Sequence, residues 1–141
     1  MSTTIQRETA LKYIEHFIGL PYRWGGDDPS GFDCSGLAVE YLKCLGVIPK
    51  NSDFNAQGLA RILRIKARAQ RGDLVFFGES VNAITHVEIM IDPLTCIGAS
   101  GGGRHIKNAD LAWQHNAYIK CRPLKYGGRN PIATRYAEMR R

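Results

Sequence analysis

The chain holds 141 residues, 44% hydrophobic and 23% charged, with 19 basic against 13 acidic side chains and a formal charge of +6. That size and balance suit one soluble domain, residues 1–141, burying roughly two-thirds of its extended-chain surface without metal or disulfide staples. The positive surplus favours anionic partners, but charge alone names none. The longest apolar stretch, 36–48, is broken by Glu40 and Lys43, so no membrane partner is expected.

The predicted elements begin with a helix over 4–18. Ala10, Leu11, Ile14, Phe17 and Ile18 fall at helical spacing, Thr3 or Thr4 can cap the start, and Gly19-Leu-Pro21 ends it. His16 lies on the polar side and reads as an exposed histidine. A loop rich in Gly, Asp and Pro follows from Tyr22 to Phe32. A second helix starts at Asp33 or Cys34 and stops at Gly46, a residue suited to a left-handed cap. Its apolar groups point almost all round, which places it in the middle of the domain. A short third helix is expected from Asn55 to about Ile62.

From there the pattern turns to strands. Leu74–Phe77 follows the turn Arg71-Gly-Asp73; residues 86–91 form a β-branched run; Asp92–Thr95 turns the chain into Cys96–Ser100. Gly101–Gly103 is a flexible or tight loop, and 117–122 reads as a last strand. The core is expected at about 4–122, with 123–141 a turn-rich, polar, basic tail. The cluster Arg61, Arg64, Lys66, Arg68 and Arg71 reads as a solvated face, and no nucleic-acid motif accompanies it. Helices first and strands afterwards imply α+β, with an antiparallel sheet packed on the second helix.

Four cysteines, with no Cys-x-x-Cys pair, give neither a disulfide framework nor a zinc site. Cys44, Cys96 and Cys121 sit in apolar or strand-like runs and are expected in the core. Cys34 differs, because it begins a helix. Free backbone N–H groups and the positive end of the helix dipole stabilise a thiolate there, and the N–H groups of Cys34 and Ser35 can face a developing oxyanion. Gly31 and Gly36 bracket it and permit close backbone approach. Spacing alone leaves Cys34 equally open to a structural role. A nucleophile needs a base, and His86 opens a strand 52 residues on (86 − 34).

Here the sequence resembles the NlpC-type cell-wall cysteine peptidases, a family with a minimal papain-like fold. The matching segments are Gly19-Leu-Pro-Tyr-Arg-Trp-Gly-Gly26, Gly31-Phe-Asp-Cys-Ser-Gly36, Arg71-Gly-Asp-Leu-Val-Phe-Phe77 and Thr85-His-Val87, in the family's order and spacing from about residue 8 to 122. The resemblance implies thiol-dependent hydrolysis of peptide bonds in bacterial peptidoglycan stems, without metal or organic cofactor. By position it makes Cys34 the nucleophile and His86 the general base. Tyr22 stands beside the oxyanion, and Asp33 and Ser35 line the peptide groove, Asp33 able to accept from an amine. Trp24 reads as a wall or core residue, with the core favoured, and Asp73 belongs to a strand-entry turn.

One position departs from the family's pattern. A third polar residue usually orients the histidine about a dozen positions later, and that place holds Gly98 (86 + 12). Glu88, two residues along the same strand, and His105, on the loop after the glycines, are the candidate replacements. Each also reads as an ordinary strand or loop residue, and a dyad is tolerable.

The leading expectation is a peptidoglycan endopeptidase working through an acyl-enzyme. Residues 1–8 lack the layout of a secretion signal, so the protein is expected to be made in the cytoplasm and to reach the wall by another route, a phage particle or its tail proteins being the favoured vehicle. Two rivals stand beside it. One is a non-catalytic wall-binding or tail-assembly module of the same fold, suggested by Gly98; the other is an amidase or acyltransferase on a non-wall substrate.

Overall fold

The structure, a computed structural model, describes residues 4–28, 31–100, 105–125 and 130–140. Helix α1 spans Thr4–Glu15 and buries Ala10, Leu11 and Ile14. It stops a turn short of the expected end, and Gly19, at φ +93°, reverses the chain. Residues 27–28 (β1) and 31–32 (β2) pair as a miniature hairpin inside what the sequence reads as loop. Helix α2, Cys34–Cys44, is capped by the Asp33 carboxylate and closed at Gly46, φ +72°. Helix α3 covers Ala56–Ile62 with Asn55 as its cap.

Six strands follow: β3 (Leu63–Lys66), β4 (Leu74–Gly78), β5 (Ile84–Asp92), β6 (Thr95–Ser100), β7 (Tyr118–Pro123) and β8 (Pro131–Met139). A last short helix, α4, covers Ala109–Gln114. The strands form an antiparallel sheet in the order β3-β8-β4-β5-β6-β7. Among the described residues no helix is long and apolar enough to cross a membrane.

Helix α2 is the hub. Leu37, Ala38, Val39, Tyr41 and Leu42 are all buried, and the Tyr41 hydroxyl donates to the Gly72 carbonyl at 2.8 Å. Leu74, Phe76, Val87, Ile89, Ile97 and Ala99 join the same core from the sheet. Because side chains alternate along a strand, Val75, Phe77, Met90 and Cys96 form a second, smaller cluster on the other face. The sheet is thus apolar on both sides in its middle, and α2 packs on β5 and β6.

Three expectations are corrected. Residues after Pro123 are not simply a tail: β8 inserts between β3 and β4. Its pattern escapes notice because a buried cation stands where an apolar residue is expected. Arg135, 6% exposed, donates to the carbonyls of Ala60 and Thr134 at 2.9 and 3.0 Å, so β8 is tied to the end of α3. Cys44 and Cys121 are exposed, and only Cys96 of the three is buried. Trp24 is 49% exposed rather than core.

The basic cluster falls on α3, the edge strand β3 and the turn before β4. Several of its charges are internally matched: Arg64 to Glu138 (3.2 Å), Lys66 to Asp73 (2.6 Å) and Arg71 to Glu8 (2.7 Å). Gly101–Gly103 and Thr3 lie outside the described residues.

Candidate active site

The site grows from the turn that precedes α2. Asp33 Oδ1 accepts from the Gly36 N–H at 2.6 Å, Oδ2 accepts from the Gly25 N–H at 3.0 Å, and the Ser35 hydroxyl donates to Oδ1 at 3.3 Å. One carboxylate therefore caps the helix and ties it to the Trp24–Gly26 turn. Burial pushes the Asp33 carboxyl above its ordinary value, against the pull of those backbone donors. Gly36 has no side chain for a steric reason: a Cβ there would run into the Gly26 carbonyl. Cys34 and Ser35 are thus held at the first two helical positions, whose N–H groups have no carbonyl four residues back.

Cys34 is partly buried. His86, on β5, is hydrogen-bonded to Glu88, with Nε2 to Oε2 at 2.6 Å, and stands near enough to the Cys34 side chain to be influenced by it. Since Glu88 occupies Nε2, Nδ1 is the nitrogen left for the thiol. The His86 side chain keeps 22% exposure, while that of Glu88 has none. Phe77, paired with His86 across β4–β5, places its ring 5.7 Å from the imidazole. Burial pulls the His86 pKa down, but the bonds and charges of Cys34 and Glu88 outweigh it and raise the pKa to about 9.

Of the two candidates for a third member, Glu88 touches His86. His105 is exposed, and its ring lies edge-on to His115 at 4.7 Å instead. Two features absent from the sequence reading surround Glu88. Arg122, from β7, donates to Glu88 Oε2 at 3.0 Å. Gly98, on β6, faces the Glu88 side chain, and a Cβ there would collide with Glu88 Cγ and lie 2.7 Å from Cδ. The glycine that seems to vacate the family's usual position is the space in which the Glu88 carboxylate sits.

Tyr22 is 4% exposed, and burial first, then the charges of Cys34 and Asp33, keeps its phenol protonated well above the ordinary range. It is a donor beside the thiol. A cleft of about 380 Å³ opens at the turn that precedes α2, lined by Trp24, Asp27, Asp33, Ser35, Asp53 and Phe54 among others. No group of three or more metal-ligating side chains exists among the described residues.

A helix-borne thiol, a strand-borne histidine and an α+β framework define a papain-like fold. The chain belongs to the NlpC/P60 family, whose model matches residues 19–128. It is 35% identical over 113 residues to the bifunctional muramidase/DL-endopeptidase CwlT of Bacillus subtilis, covering 77% of this chain and 31% of that protein. It is 33% identical over 129 residues to the murein DD-endopeptidase MepH of Escherichia coli, covering 84% of this chain and 46% of that one. The chain thus spans less than half the length of these relatives.

Among solved structures it resembles the P60 domain of the Mycobacterium avium subspecies paratuberculosis antigen MAP1204, at TM-score 0.68 and 27% identity over 94% of this chain and 96% of that one. A Bacillus cereus NlpC/P60 family protein matches with TM-score 0.75 and 22% identity, over 97% of this chain and 41% of that chain.

Proposed function

We propose that this protein is a cysteine endopeptidase that hydrolyses peptide bonds in bacterial peptidoglycan stems. One observation carries the reading: a single imidazole is hydrogen-bonded to a buried carboxylate and lies close enough to the thiol at the start of α2 for that thiol to raise its pKa. An idle structural cysteine has no use for such a base. The substrate class is supported by relatives named as endopeptidases of the wall, and by a cleft whose acidic lining suits a free amine.

In this reading the thiol proton passes to His86, and Cys34 Sγ attacks the scissile carbonyl. The charge that develops on oxygen meets the Cys34 backbone N–H and the Tyr22 hydroxyl. His86, holding the proton firmly at neutral pH, returns it to the leaving amine, and a thioester remains on Cys34. Water then attacks the thioester with His86 as base, which frees the carboxylate product and restores the thiol. Glu88 keeps the imidazole in the tautomer and orientation this cycle needs. Asp33 and Ser35 form the wall of the cleft beside the nucleophile. Asp33 retains acceptor capacity beyond its capping bonds, since a carboxylate offers about four lone-pair sites.

Alkylation with iodoacetamide tests the thiol directly. Cys34 should react much faster than Cys44 and Cys121, although those two are more exposed. A Cys34 that reacts no faster than they do would count against a catalytic role and for a binding module of the same fold.

A further inference from the structure

We infer that Arg122 is a positioning residue: it clamps the Glu88 carboxylate from β7, so that the orienting group of His86 is assembled from β5 and β7 across the vacancy at Gly98. The inference rests on the proposed role of His86 and Glu88 and adds a fourth member acting through the third.

The sheet register makes the arrangement possible. On β6–β7, Cys96 pairs with Arg122 and Gly98 with Lys120. On β5–β6, Met90 pairs with Cys96 and Ile89 with Ile97, which brings Gly98 opposite Glu88. Alternation then puts Glu88, Gly98 and Arg122 on one face. Arg122 stands two residues beyond the partner of Gly98, so its side chain crosses β6 diagonally to reach Glu88. Any side chain at Gly98 would occupy that path, and the contact of a built Cβ with the Glu88 stem shows how little room remains.

The clamp answers a physical need. Glu88 has no side-chain exposure, and an isolated carboxylate in such a place favours its neutral form. A neutral acid would offer His86 a weaker acceptor and no charge. The guanidinium bond at 3.0 Å, with an Arg122 side chain only 19% exposed, keeps the anion in place. Glu88 Oε2 receives both His86 and Arg122, so the two donors fix the same oxygen. The titratable and charged groups facing the pair are Cys34 from α2, Glu88 on β5 itself, and Lys120, Cys121 and Arg122 from β7; β4 contributes the Phe77 ring, and Gly98 of β6 lies against the Glu88 stem.

The test is a double-mutant cycle read by the pH dependence of Cys34 alkylation with iodoacetamide, with melting temperature measured alongside. Arg122→Gln should slow alkylation by about tenfold or more near pH 6, the scale seen when the outer partner of an oriented histidine is removed. Its acid limb should move to higher pH, because a Glu88 carboxylate no longer held by its cation orients and stabilises the imidazolium beside Cys34 less firmly. Arg122→Lys should recover much of the rate. In a Glu88→Gln background, Arg122→Gln should change neither rate nor limb, since a group acting only through Glu88 has nothing left to act on. Equal losses in the two backgrounds would overturn the inference and leave Arg122 a stabilising residue. If Glu88→Gln itself alters nothing, the proposed role of Glu88 fails, and the clamp with it. Should Arg122→Gln not fold, Arg122→Met takes its place in the cycle with the same two outcomes deciding: a loss that disappears in the Glu88→Gln background supports the clamp, and an equal loss in both contradicts it.

Discussion

Replacing Glu88 by glutamine keeps the side chain's size and removes its charge, so it isolates what the buried carboxylate does for His86. In the native site His86 is held at about 9 against an ordinary 6.5, a difference of 9 − 6.5 = 2.5 in pKa sustained against burial. Each unit corresponds to about 1.4 kcal/mol, so the net preference for the imidazolium is about 3.5 kcal/mol, and Cys34 and Glu88, which also offset burial, together supply more than that. Removing one of these two contributors should lower the His86 pKa by at least about one unit. In a profile of kcat/KM against pH, the alkaline limb should therefore fall from near 9 to about 8 or lower. The amide also offers Nε2 an ambiguous partner, able to donate as well as accept, and a misoriented imidazole should cost on the order of a hundredfold at pH 8. The profile should be measured on muropeptides with folding checked by circular dichroism. An alkaline limb that stays near 9, with kcat/KM within about twofold of wild type, would refute the reasoning.

Gly98→Ala adds one methyl group where Glu88 already stands. It should destabilise the fold by about 1–3 kcal/mol through overpacking and lower activity more than melting temperature suggests, because Glu88 must move; normal activity would show that Glu88 has room to spare. Asp33→Ala removes the cap of α2 and should cost about 1 kcal/mol, visible as a lower denaturation midpoint. Asp33→Asn keeps a capping oxygen and should restore stability while raising KM for stems with a free amine; an unchanged KM would remove Asp33 from substrate binding. Stability should also respond to pH. The folded pKa of His86 is raised, so its contribution is complete below pH 6.5 and fades as pH rises through about 9. Denaturation midpoints measured from pH 6 to 10 should fall across that window, and less so in Glu88→Gln.

How much could be read beforehand depends on where the signal lies. Helix α2 and strands β4 to β6 announce themselves through dense apolar runs with clear stops at Gly46, Asp73 and Asp92. Cys34 and His86 were legible from a helix start, a strand start and the family's motifs. Strand β8 is hidden, because Ala133 and Ala137 give a weak alternation and Arg135 is buried with its guanidinium bonded to the Ala60 carbonyl of α3, far away in the sequence. Trp24 and Cys44 misled in the opposite direction, since residue type predicts burial only on average. The choice between Glu88 and His105 was open in the sequence, because it turns on cross-strand register. Lys120 and Arg122 share one face of β7, a hint visible in the alternation of residues 117–122, but nothing local says that they look across a glycine at a carboxylate.

The central claim is that Cys34 performs the cleavage. Digestion of purified peptidoglycan fragments by the wild-type protein and by Cys34→Ala, analysed by mass spectrometry, tests it most directly. Wild type should release fragments differing by one hydrolysed amide within the stem peptide, and Cys34→Ala, equally folded, should release none. The same fragments at the same rate from Cys34→Ala would contradict it.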